Sequence, residues 1–586
     1  MKEKNFKKLG IALSGGGFRA AFYHIGVLAR MADLGLLRSV EVISTVSGGS
    51  IIGALYYLHL KKLLEEKRDV EIKDEDYQNI IVKIEIDFLK AVQKNLRLRT
   101  FLNPLKNLRM ILPNYSRSDY IGELYDEFLY RKVLDENNSD PIKMKDLIIK
   151  PCGESQSFHP LKDNENRKAK VPILLINATL LNNGHNWCFS ASDMGETQID
   201  ESKKIFDKNF RLKRVQSYED VYKHEDFELG LAVAASACVP GIFPPLAISG
   251  LYDEKIRLQL VDGGVHDNQG ISGLLDERFK CTHFIISDAS GQMKDETEPK
   301  VQALNVIKRS NSVLADNLRE QQLTNMLKGH SENVALLHLK KGLPVKNVSY
   351  FNKKHNLMGE TIMCNMEEPS EVFGVNTYVQ NLLSEIRTDL DSFSDVEAFS
   401  LMLDGYKISQ FELDKKDLKY FLINHSLKIE RYRFFKIDSW ISSSEIDSFY
   451  KNLLEIASNR FFRAIRCNLI LRLLTILLFV LICGFLLGTF GSMLVNWANE
   501  SVSKGQLLVI FILLITLFFI NEGIDSFSNR ISSVWFLINL IPFVFISLTG
   551  FIFIGFYLIT YDRLFLYFGS LKALEKSQRN FLKRTR

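Results

Sequence analysis

The chain has 586 residues, which is enough for several domains and a large hydrophobic core. Its net charge of +5 is too small over this length to favour a nucleic-acid binder, so we expect no nucleic-acid partner. The seven cysteines lack the spacing of a zinc site or a disulfide framework, which favours reduced thiols and no metal. Apolar residues are concentrated in the last part of the chain, which predicts a soluble part followed by a membrane part.

Two glycine-containing turns lie close to the N-terminus, where no apolar segment predicts a signal peptide. The first turn is Ser14–Arg19 (SGGGFR) and the second is Thr45–Gly49 (TVSGG). Each turn directly follows a short apolar run and precedes apolar residues at helical spacing, at Ala20–Leu34 and Ser50–Glu65. Two successive strand–turn–helix units predict a parallel sheet with a right-handed crossover.

Predicted strands and helices alternate again after about residue 171. The strands are at Val171–Leu181, Leu258–Val261, His283–Ser287 and Val334–Leu339, and the helices are at 229–237, 300–328 and 375–391. The sequence therefore predicts an α/β domain with a mostly parallel sheet over residues 1–410. An insertion or lid is expected at about 69–170, where the basic stretch Ala91–Arg117 indicates either a membrane-surface segment or a solvated helical insertion.

The region after the α/β domain changes in composition. Residues 411–466 are predicted to be a helical linker, and residues 467–586 an all-α transmembrane region of two or three helices with a basic tail. Two charge-free runs, Leu473–Val495 and about Val534–Ile559, are long enough to span a bilayer, whereas Leu507–Ile520 is shorter. Basic residues flank both ends, which favours both flanks in the cytoplasm and leaves the number of crossings open.

Ser47 lies at the second predicted strand-to-helix turn. A nucleophilic serine needs such a turn, with small residues two positions before and after it, so that the strand and helix can pass closely. Gly49 satisfies the later position, but Thr45 stands where the G-x-S-x-G pattern has glycine. Ser47 is therefore a candidate nucleophile in an imperfect elbow, and an ordinary loop is the alternative interpretation.

The first turn contains Gly15, Gly16 and Gly17. Consecutive glycines after a buried strand allow backbone N–H groups to converge on an anion, with help from the following helix dipole. The alternative is a dinucleotide site, because Gly15, Gly17 and Ala20 satisfy G-x-G-x-x-A. That site needs an acidic residue at the end of the second strand, where Ser44–Ser47 stand instead, so no cofactor is expected.

Asp262 precedes two glycines at the end of a predicted strand. A carboxylate there can reach a nucleophile on another strand end, or it can stabilise its own turn. A catalytic triad in which the serine precedes the acid along the chain would also need a histidine after the acid. His266 is the nearest downstream histidine, and neither it nor any later one stands in a recognisable setting.

The motifs SGGGFR, TVSGG and Asp262–Gly264 (DGG), in this order, resemble those of the patatin-like phospholipases. Three further blocks are similar to family blocks: Asn177–Thr179, Ala235–Pro245 (ASACVPGIFPP) and Leu403–Tyr406 (LDGY). The resemblance extends in outline from Leu9 to Ser409, and the predicted membrane segments lie outside it.

The resemblance implies a three-layer α/β/α fold and a Ser–Asp dyad without histidine, metal or cofactor. Ser47 would attack an ester carbonyl and Asp262 would accept its proton. The N–H groups of Gly15, Gly16 and Gly17 would bind the oxyanion, and Arg19 would brace the glycine loop. The implied activity is phospholipase A-type hydrolysis of fatty-acid esters in membrane phospholipids or other acyl lipids.

Together, the motifs and the apolar tail predict a multi-pass protein of the bacterial inner membrane with a cytoplasmic catalytic domain. A homo-oligomer formed through the transmembrane helices is a possible assembly. The alternative is a catalytically inactive patatin-like domain that senses a lipid or another ligand on a membrane-embedded oligomer or pore. Thr45 is the motif feature that favours this alternative.

Overall fold

A computed structural model describes residues 7–110, 114–197, 207–221, 223–253, 255–345, 348, 350–351, 357–358, 370–413, 417–422, 431–460, 462–477, 480–481, 484, 488 and 550–584. The chain forms two compact units. Unit 1 comprises Met1–Thr100, Leu112–Arg460 and Gly569–Arg586, and unit 2 comprises Phe101–Ile111 and Phe461–Phe568.

The main sheet of unit 1 has nine strands in the described residues. They are β1 (Leu9–Leu13), β2 (Val40–Val46), β3 (Ile173–Leu180), β4 (Asn186–Phe189), β5 (Met194–Glu196), β6 (Leu246–Ser249), β7 (Arg257–Asp262), β8 (His283–Asp288) and β9 (Val334–His338). Strands β3-β2-β1-β8-β9 form the parallel part in that order, and β4 to β7 extend from β3 in antiparallel pairs. The predicted parallel core is confirmed. Strand β1 at its centre is buried along its whole length, as a parallel strand covered on both faces requires.

Two short antiparallel pairs lie outside the main sheet. They are β10 (Tyr350–Phe351) with β11 (Leu357–Met358), and β12 (Glu371–Val372) with β13 (Val375–Asn376).

Helices surround the sheet of unit 1. They are α1 (Gly17–Asp33), α2 (Gly48–Glu66), α3 (Asp74–Val92), α4 (Leu96–Arg99), α6 (Arg117–Tyr125), α7 (Arg131–Leu134), α8 (Pro160–Asp163), α9 (Leu229–Ala237), α10 (Gly264–Asp267), α11 (Ile271–Leu274), α12 (Ala303–His330), α13 (Thr377–Glu385), α14 (Asp395–Leu413), α15 (Asp438–Ile441), α16 (Ser448–Ala457) and α19 (Leu571–Arg584). Unit 2 contains α5 (Pro104–Arg109), α17 (Arg463–Cys467) and α18 (Arg563–Phe568).

Helices cover both faces of the sheet. On one face, α1 packs on α14, and the Tyr406 hydroxyl of α14 donates to Asp33 at the end of α1 at 2.8 Å. On the other face, Ile271 and Leu274 of α11 and Met326 of α12 pack in a buried cluster with sheet residues such as Ala12. The arrangement has three layers, helices–sheet–helices.

The strand register brings the ends of β2 and β7 together. Val46, the last residue of β2, pairs with Asn177 of β3, and Asp262, the last residue of β7, pairs with the next residue, Ala178. Both strands lie on the side of β3 that faces away from β4, because β4 pairs with the same residues of β3 from the other side. Strands β2 and β7 therefore meet end to end, which places Ser47 beside Asp262.

Two helices near residue 390 differ from the predicted elements. The predicted helix 375–391 is shorter in the structure, as α13 ends at Glu385, and a separate helix, α14, follows at Asp395–Leu413. Between them, the buried Arg387 donates to Asp391 at 2.8–3.1 Å and to Ala457 O at 2.9 Å, and it also pairs with Glu397 at 2.5 Å. These contacts neutralise the buried arginine in the segment between the two helices.

The insertion at 69–170 and the expected linker lie mostly in unit 1. The basic stretch 91–117 forms the short helices α4 and α5, and only α5 belongs to unit 2. The linker residues up to Arg460 are in unit 1, which also contains α19 near the C-terminus.

One helix in the described part of the chain, Gly550–Phe568, is long and apolar enough to cross a membrane. It overlaps the end of the predicted segment 534–559. The predicted segment 507–520 and most of 473–495 lie outside the described residues. The described residues therefore do not support a multi-pass membrane protein, and that part of the sequence interpretation stays a prediction.

Candidate active site

Ser47 occupies a strained turn between β2 and α2. Its backbone angles are φ 51° and ψ −117°, a conformation that non-glycine residues rarely adopt. The side chain is buried, and its backbone N–H donates to the Ser236 hydroxyl at 2.9 Å. A strained serine at a strand-to-helix turn has the geometry of a nucleophile elbow.

Thr45 fits into this elbow because a glycine on α2 faces it. Its hydroxyl donates to the carbonyl of Leu175 at 2.9 Å and lies 2.9 Å from the Ser50 hydroxyl. Its methyl group lies where Gly53 leaves space, since a Cβ at Gly53 would be only 2.6 Å from it. The glycine that the elbow pattern lacks before Ser47 is thus replaced by one on the facing helix.

The glycine loop and the elbow touch through their backbones. A Cβ at Gly48 would overlap the carbonyl oxygen of Gly17, and the N–H of Gly49 donates to the carbonyl of Ser14 at 3.1 Å. The two predicted turns are therefore adjacent, as expected for loops that follow neighbouring parallel strands.

The three glycines of the first loop differ in the use of their N–H groups. The N–H of Gly15 donates to the carbonyl of Asn268 at 2.8 Å. The N–H groups of Gly16 and Gly17 donate to no atom of the described residues, and both residues line the cavity that contains Ser47. Their φ angles of 134° and 60° lie in the region that favours glycine. Gly16 and Gly17 are therefore the members of the loop with N–H groups available to an anion.

Arg19 braces this loop from behind. Its guanidinium donates to the carbonyls of Ala289 (2.9 Å), Ser384 (3.0 Å) and Ile386 (2.8 Å). Burial lowers the pKa of Arg19 to about 10, while Asp288 and Glu385 act to raise it, so the side chain stays charged at neutral pH. Arg19 does not line the cavity that contains Ser47.

Asp262 lines the same cavity, and one of its two carboxylate oxygens accepts a hydrogen bond. Oδ1 accepts the N–H of Gly264 at 2.8 Å, and the buried Oδ2 accepts no hydrogen bond from the described residues. Burial raises the pKa of Asp262 to about 6, and the nearby Ser47 hydroxyl and the Gly264 N–H act to lower it. A carboxylate with this pKa is ionised at neutral pH and more basic than an exposed one.

Ser236 links Ser47 to the neighbouring strand. Its hydroxyl accepts the N–H of Ser47, donates to the carbonyl of Asn177 at 2.5 Å and contacts the Ser50 hydroxyl at 2.8 Å. Residue-by-residue reasoning did not assign Ser236 or Asn177 a role. The sequence feature that could have pointed to both residues is their position in the blocks that resemble those of the patatin-like phospholipases.

His24 of α1 supports the glycine loop from within the core. Its ring nitrogens lie 2.7 Å from the Ser287 hydroxyl and 3.0 Å from the carbonyl of Ser14. Burial lowers the pKa of His24 to about 4, so the ring is neutral at physiological pH. Sequence reasoning missed this residue because its partners are distant in sequence.

The cavity above Ser47 has a volume of about 750 Å³. Its floor is polar, with Gly16, Gly17, Ser47 and Asp262, and its wall includes apolar side chains such as Phe243 and Leu318. Within the described residues, no histidine lines it, and His266 lies on α10 outside its lining. The described residues also contain no group of three or more metal-ligating side chains that could bind a metal ion.

Comparison with known families supports the resemblance seen in the motifs. Residues 11–275 match the family model described as patatin-like phospholipase. This segment contains the glycine loop, the elbow at Ser47 and Asp262, and it forms a patatin-like α/β domain. The predicted membrane region lies outside the match. No curated protein matches the chain.

Solved structures with low similarity to this chain include the following two. Human GIVD cytosolic phospholipase A2, in complex with methyl gamma-linolenyl fluorophosphonate, shares 14% identity with a TM-score of 0.36, covering 70% of this chain and 58% of that one. VipD from Legionella pneumophila shares 12% identity with a TM-score of 0.26, covering 97% and 88%. The chain thus spans less than two thirds of the length of the human protein.

Proposed function

We propose that this chain is a serine lipid acyl hydrolase of the phospholipase A type, with Ser47 as nucleophile and Asp262 as general base. The observation that carries the proposal is the meeting of β2 and β7, which places a strained serine and a buried carboxylate at one cavity. The family model over residues 11–275 supports a lipid ester as substrate.

In the first half of the reaction, Asp262 accepts the Ser47 hydroxyl proton as Oγ attacks the ester carbonyl carbon. The carbonyl oxygen becomes an oxyanion, which the N–H groups of Gly16 and Gly17 stabilise, while Gly15 supports the loop through its bond to Asn268. The tetrahedral intermediate then breaks its bond to the alcohol oxygen, which takes the proton from Asp262 as it leaves.

In the second half, water hydrolyses the acyl-enzyme. Asp262 accepts a proton from water as the water oxygen attacks the acyl carbon, and Ser47 Oγ recovers the proton as the fatty acid leaves. The raised pKa of Asp262 suits both transfers, because a base with a pKa near the working pH combines ionisation with proton affinity. Arg19 acts through its three carbonyl bonds by fixing the loops behind the glycines.

The apolar C-terminal region gives the proposal a membrane setting. We propose that it anchors the enzyme in a bacterial inner membrane, with the catalytic domain in the cytoplasm and membrane phospholipids or other acyl lipids as substrates. Helix Gly550–Phe568 supports at least one crossing. Anchoring confines enzyme and substrate to one surface and raises their effective concentration. Further crossings and a homo-oligomer through these helices are part of the same proposal.

The inactive-sensor alternative depended on Thr45. The space that Gly53 leaves for the Thr45 methyl group supports a functional elbow instead. A fluorophosphonate probe separates the two, because it reacts covalently with an activated serine. We expect it to label the detergent-solubilised wild type and the Ser312→Ala control, and not Ser47→Ala. An unlabelled, folded wild type would favour the sensor.

Lipid mass analysis of expressing cells tests the reaction itself. We expect free fatty acid and lysolipid to accumulate with the wild type, and rates to fall on the order of 10⁴-fold or more in Ser47→Ala. Asp262→Asn preserves the shape of the site and should lose activity to a similar extent. Thermal unfolding of each variant shows whether it is folded. Product formation by folded Ser47→Ala would disprove Ser47 as the nucleophile.

A further inference from the structure

Helix α12 is held at its C-terminal half and extends past the catalytic cavity at its N-terminal half. Leu323 and Met326 pack in the buried cluster beneath the sheet, and the side-chain amide of Gln322 donates to the carbonyl of His266 at 3.2 Å. In contrast, the residues before Asp316 are exposed or half-buried.

The N-terminal half of α12 carries an apolar stripe that leads into the cavity. Residues three and four apart share one helix face, and the stripe has the members Leu304, Ile307, Lys308, Asn311, Leu314, Ala315 and Leu318. The last three of these, with Lys308 and Asn311, line the catalytic cavity. Leu304, Ile307 and Leu314 are 82%, 59% and 66% exposed. The apolar wall of the cavity therefore continues outward along the helix into solvent.

Other residues of the cavity lining are also apolar. Val239 and Ile242 follow α9, Val265 lies on α10, and all three line the cavity while being 36–50% exposed. We call these three residues, with Leu304, Ile307 and Leu314, the rim surface. A continuous apolar surface around a cavity mouth marks an interaction site.

Two cations stand at the same mouth without a carboxylate partner. Lys308 and Arg460 line the cavity, are exposed, and form no ion pair with the described residues. No acidic residue occurs in the sequence from 299 to 315. A bilayer with anionic lipids supplies both complements at once, an apolar interior for the rim surface and negative headgroups for the cations.

We propose that the rim surface docks on an anionic lipid bilayer, so that an acyl chain passes from the membrane into the cavity without crossing water. The inference rests on the proposed hydrolase function, because continuity with the catalytic cavity is what identifies a lipid surface as the occupant. A protein partner would not need an apolar path that ends at Ser47.

A photocrosslinking experiment tests the contact directly. The full chain is reconstituted in vesicles of phosphatidylcholine, with or without phosphatidylglycerol, carrying p-benzoylphenylalanine in place of Ile307 or of Val313. Val313 lies on the opposite face of the same helix and is also exposed, so it is the matched control. We expect lipid adducts at position 307, more of them with phosphatidylglycerol, and few at 313. Equal adducts at both positions, or adducts at 307 to a second copy of the chain instead of lipid, would overturn the proposal.

A hydrolysis experiment tests the consequence. The variant Leu304→Gln/Ile307→Gln changes residues outside the cavity lining, and Val306→Gln/Val313→Gln is its control. We expect the first variant to hydrolyse vesicle lipid at least tenfold more slowly than the control, since each of its two substitutions removes an apolar side chain that docking would bury in the bilayer. It should hydrolyse a soluble short-chain ester at the wild-type rate. Lys308→Gln/Arg460→Gln should lose the preference for anionic vesicles, on the order of fivefold for each charge.

The two proposals fail in distinguishable ways. A wild type that hydrolyses neither ester nor lipid contradicts the proposed function, and the crosslinks at 307 and 313 still decide whether the rim surface docks. A wild type that hydrolyses both, with vesicle rates unchanged in Leu304→Gln/Ile307→Gln, contradicts the docking alone.

Discussion

The bottom and the mouth of the same cavity are built in opposite ways. The catalytic floor, comprising the glycine loop (14–19), the elbow (45–49) and Asp262, is buried and held by backbone contacts between neighbouring strand ends. The rim surface is formed by exposed side chains, and those on α12 project from the half of the helix that lies outside the buried cluster.

The difference follows from what each region contacts. Covalent catalysis requires reacting atoms placed to within a fraction of an ångström, and backbone contacts without side chains give that precision. A membrane surface is fluid and has no fixed shape, so the rim surface needs apolar area and charge but no exact geometry. We therefore expect the catalytic floor to be intolerant of one added methyl group, and the rim surface to tolerate changes of size but not of polarity.

The largest effect is expected from Gly48→Ala. The new Cβ would overlap the carbonyl oxygen of Gly17, so the elbow and the glycine loop must separate. We expect a loss of stability of about 1–3 kcal/mol from overpacking and a fall in kcat/KM of at least about 10²-fold from the displaced oxyanion site. Thermal unfolding and hydrolysis of a soluble ester measure the two effects.

Gly291→Ala is the matched control, since Gly291 lines the same cavity but its Cβ would meet only Thr388 at 3.6 Å and Arg19 at 3.7 Å. It should have nearly wild-type stability and activity. Equal tolerance of alanine at both positions would contradict the close backbone contact between the two loops.

A smaller effect is expected from Ser236→Ala. The substitution leaves the N–H of Ser47 and the carbonyl of Asn177 without their hydrogen-bond partner in the core. We expect a loss of about 1–3 kcal/mol in stability and of about 10–10²-fold in kcat. Ser312→Ala, at the cavity wall on α12, removes a hydroxyl that donates only to the carbonyl of Lys308 and should change neither quantity. Similar kinetics for the two variants would mean that Ser236 does not position the elbow.

The pH dependence separates the single titrating group of the floor from the cations of the rim. In the proposed mechanism Asp262 can act as a base only when it is ionised, and its pKa is raised to about 6 by burial. We expect kcat/KM on a soluble ester to rise about tenfold for each pH unit up to about pH 6 and then to level off. Burial raises the pKa values of the neighbouring Tyr125 and Cys238, which stay neutral over this range. Lys308→Gln should not change the pH at which kcat/KM rises. A change of that pH in the variant would contradict the assignment of the rise to Asp262.

The same titration affects stability in the opposite direction to activity. The pKa of Asp262 is higher in the folded chain than its ordinary 3.8, so its contribution to stability is complete below pH 3.8 and is lost as the pH rises through about 6. Asp262→Asn does not ionise, so it should exceed the wild type in stability at about pH 8 by up to about 3 kcal/mol, a difference that vanishes in acid. A variant less stable than the wild type at alkaline pH would show that the carboxylate is structurally favourable.

The sequence was sufficient to predict the parallel core, because strand–glycine–helix turns are local patterns. The same patterns made the glycine loop and Ser47 candidate site residues, and their catalytic roles stay a prediction. The end-to-end meeting of β2 and β7 was not predictable, since it depends on the register of both strands on β3. Arg387, which donates to Ala457 O, and His24, whose partners include Ser287, depend in the same way on distant contacts. The exposure of the stripe on α12 could not be predicted from periodicity alone either, because a buried helix has the same spacing of apolar residues.

Thr45 illustrates the same limit and gives the smallest predicted effect. Its departure from the elbow pattern is offset by Gly53, eight positions later, so the two residues should behave as a coupled pair. Gly53→Ala places a Cβ 2.6 Å from the Thr45 methyl group, and overpacking of about 1–3 kcal/mol should exceed the gain of about 1 kcal/mol in helix propensity.

Thr45→Ser removes the methyl group and keeps the hydroxyl that bonds Leu175 and Ser50. We therefore expect the double variant Thr45→Ser/Gly53→Ala to regain the stability and fluorophosphonate labelling rate that Gly53→Ala loses, with a coupling energy of about 1–2 kcal/mol. Strictly additive effects would mean that the elbow tolerates Thr45 for a reason unrelated to Gly53.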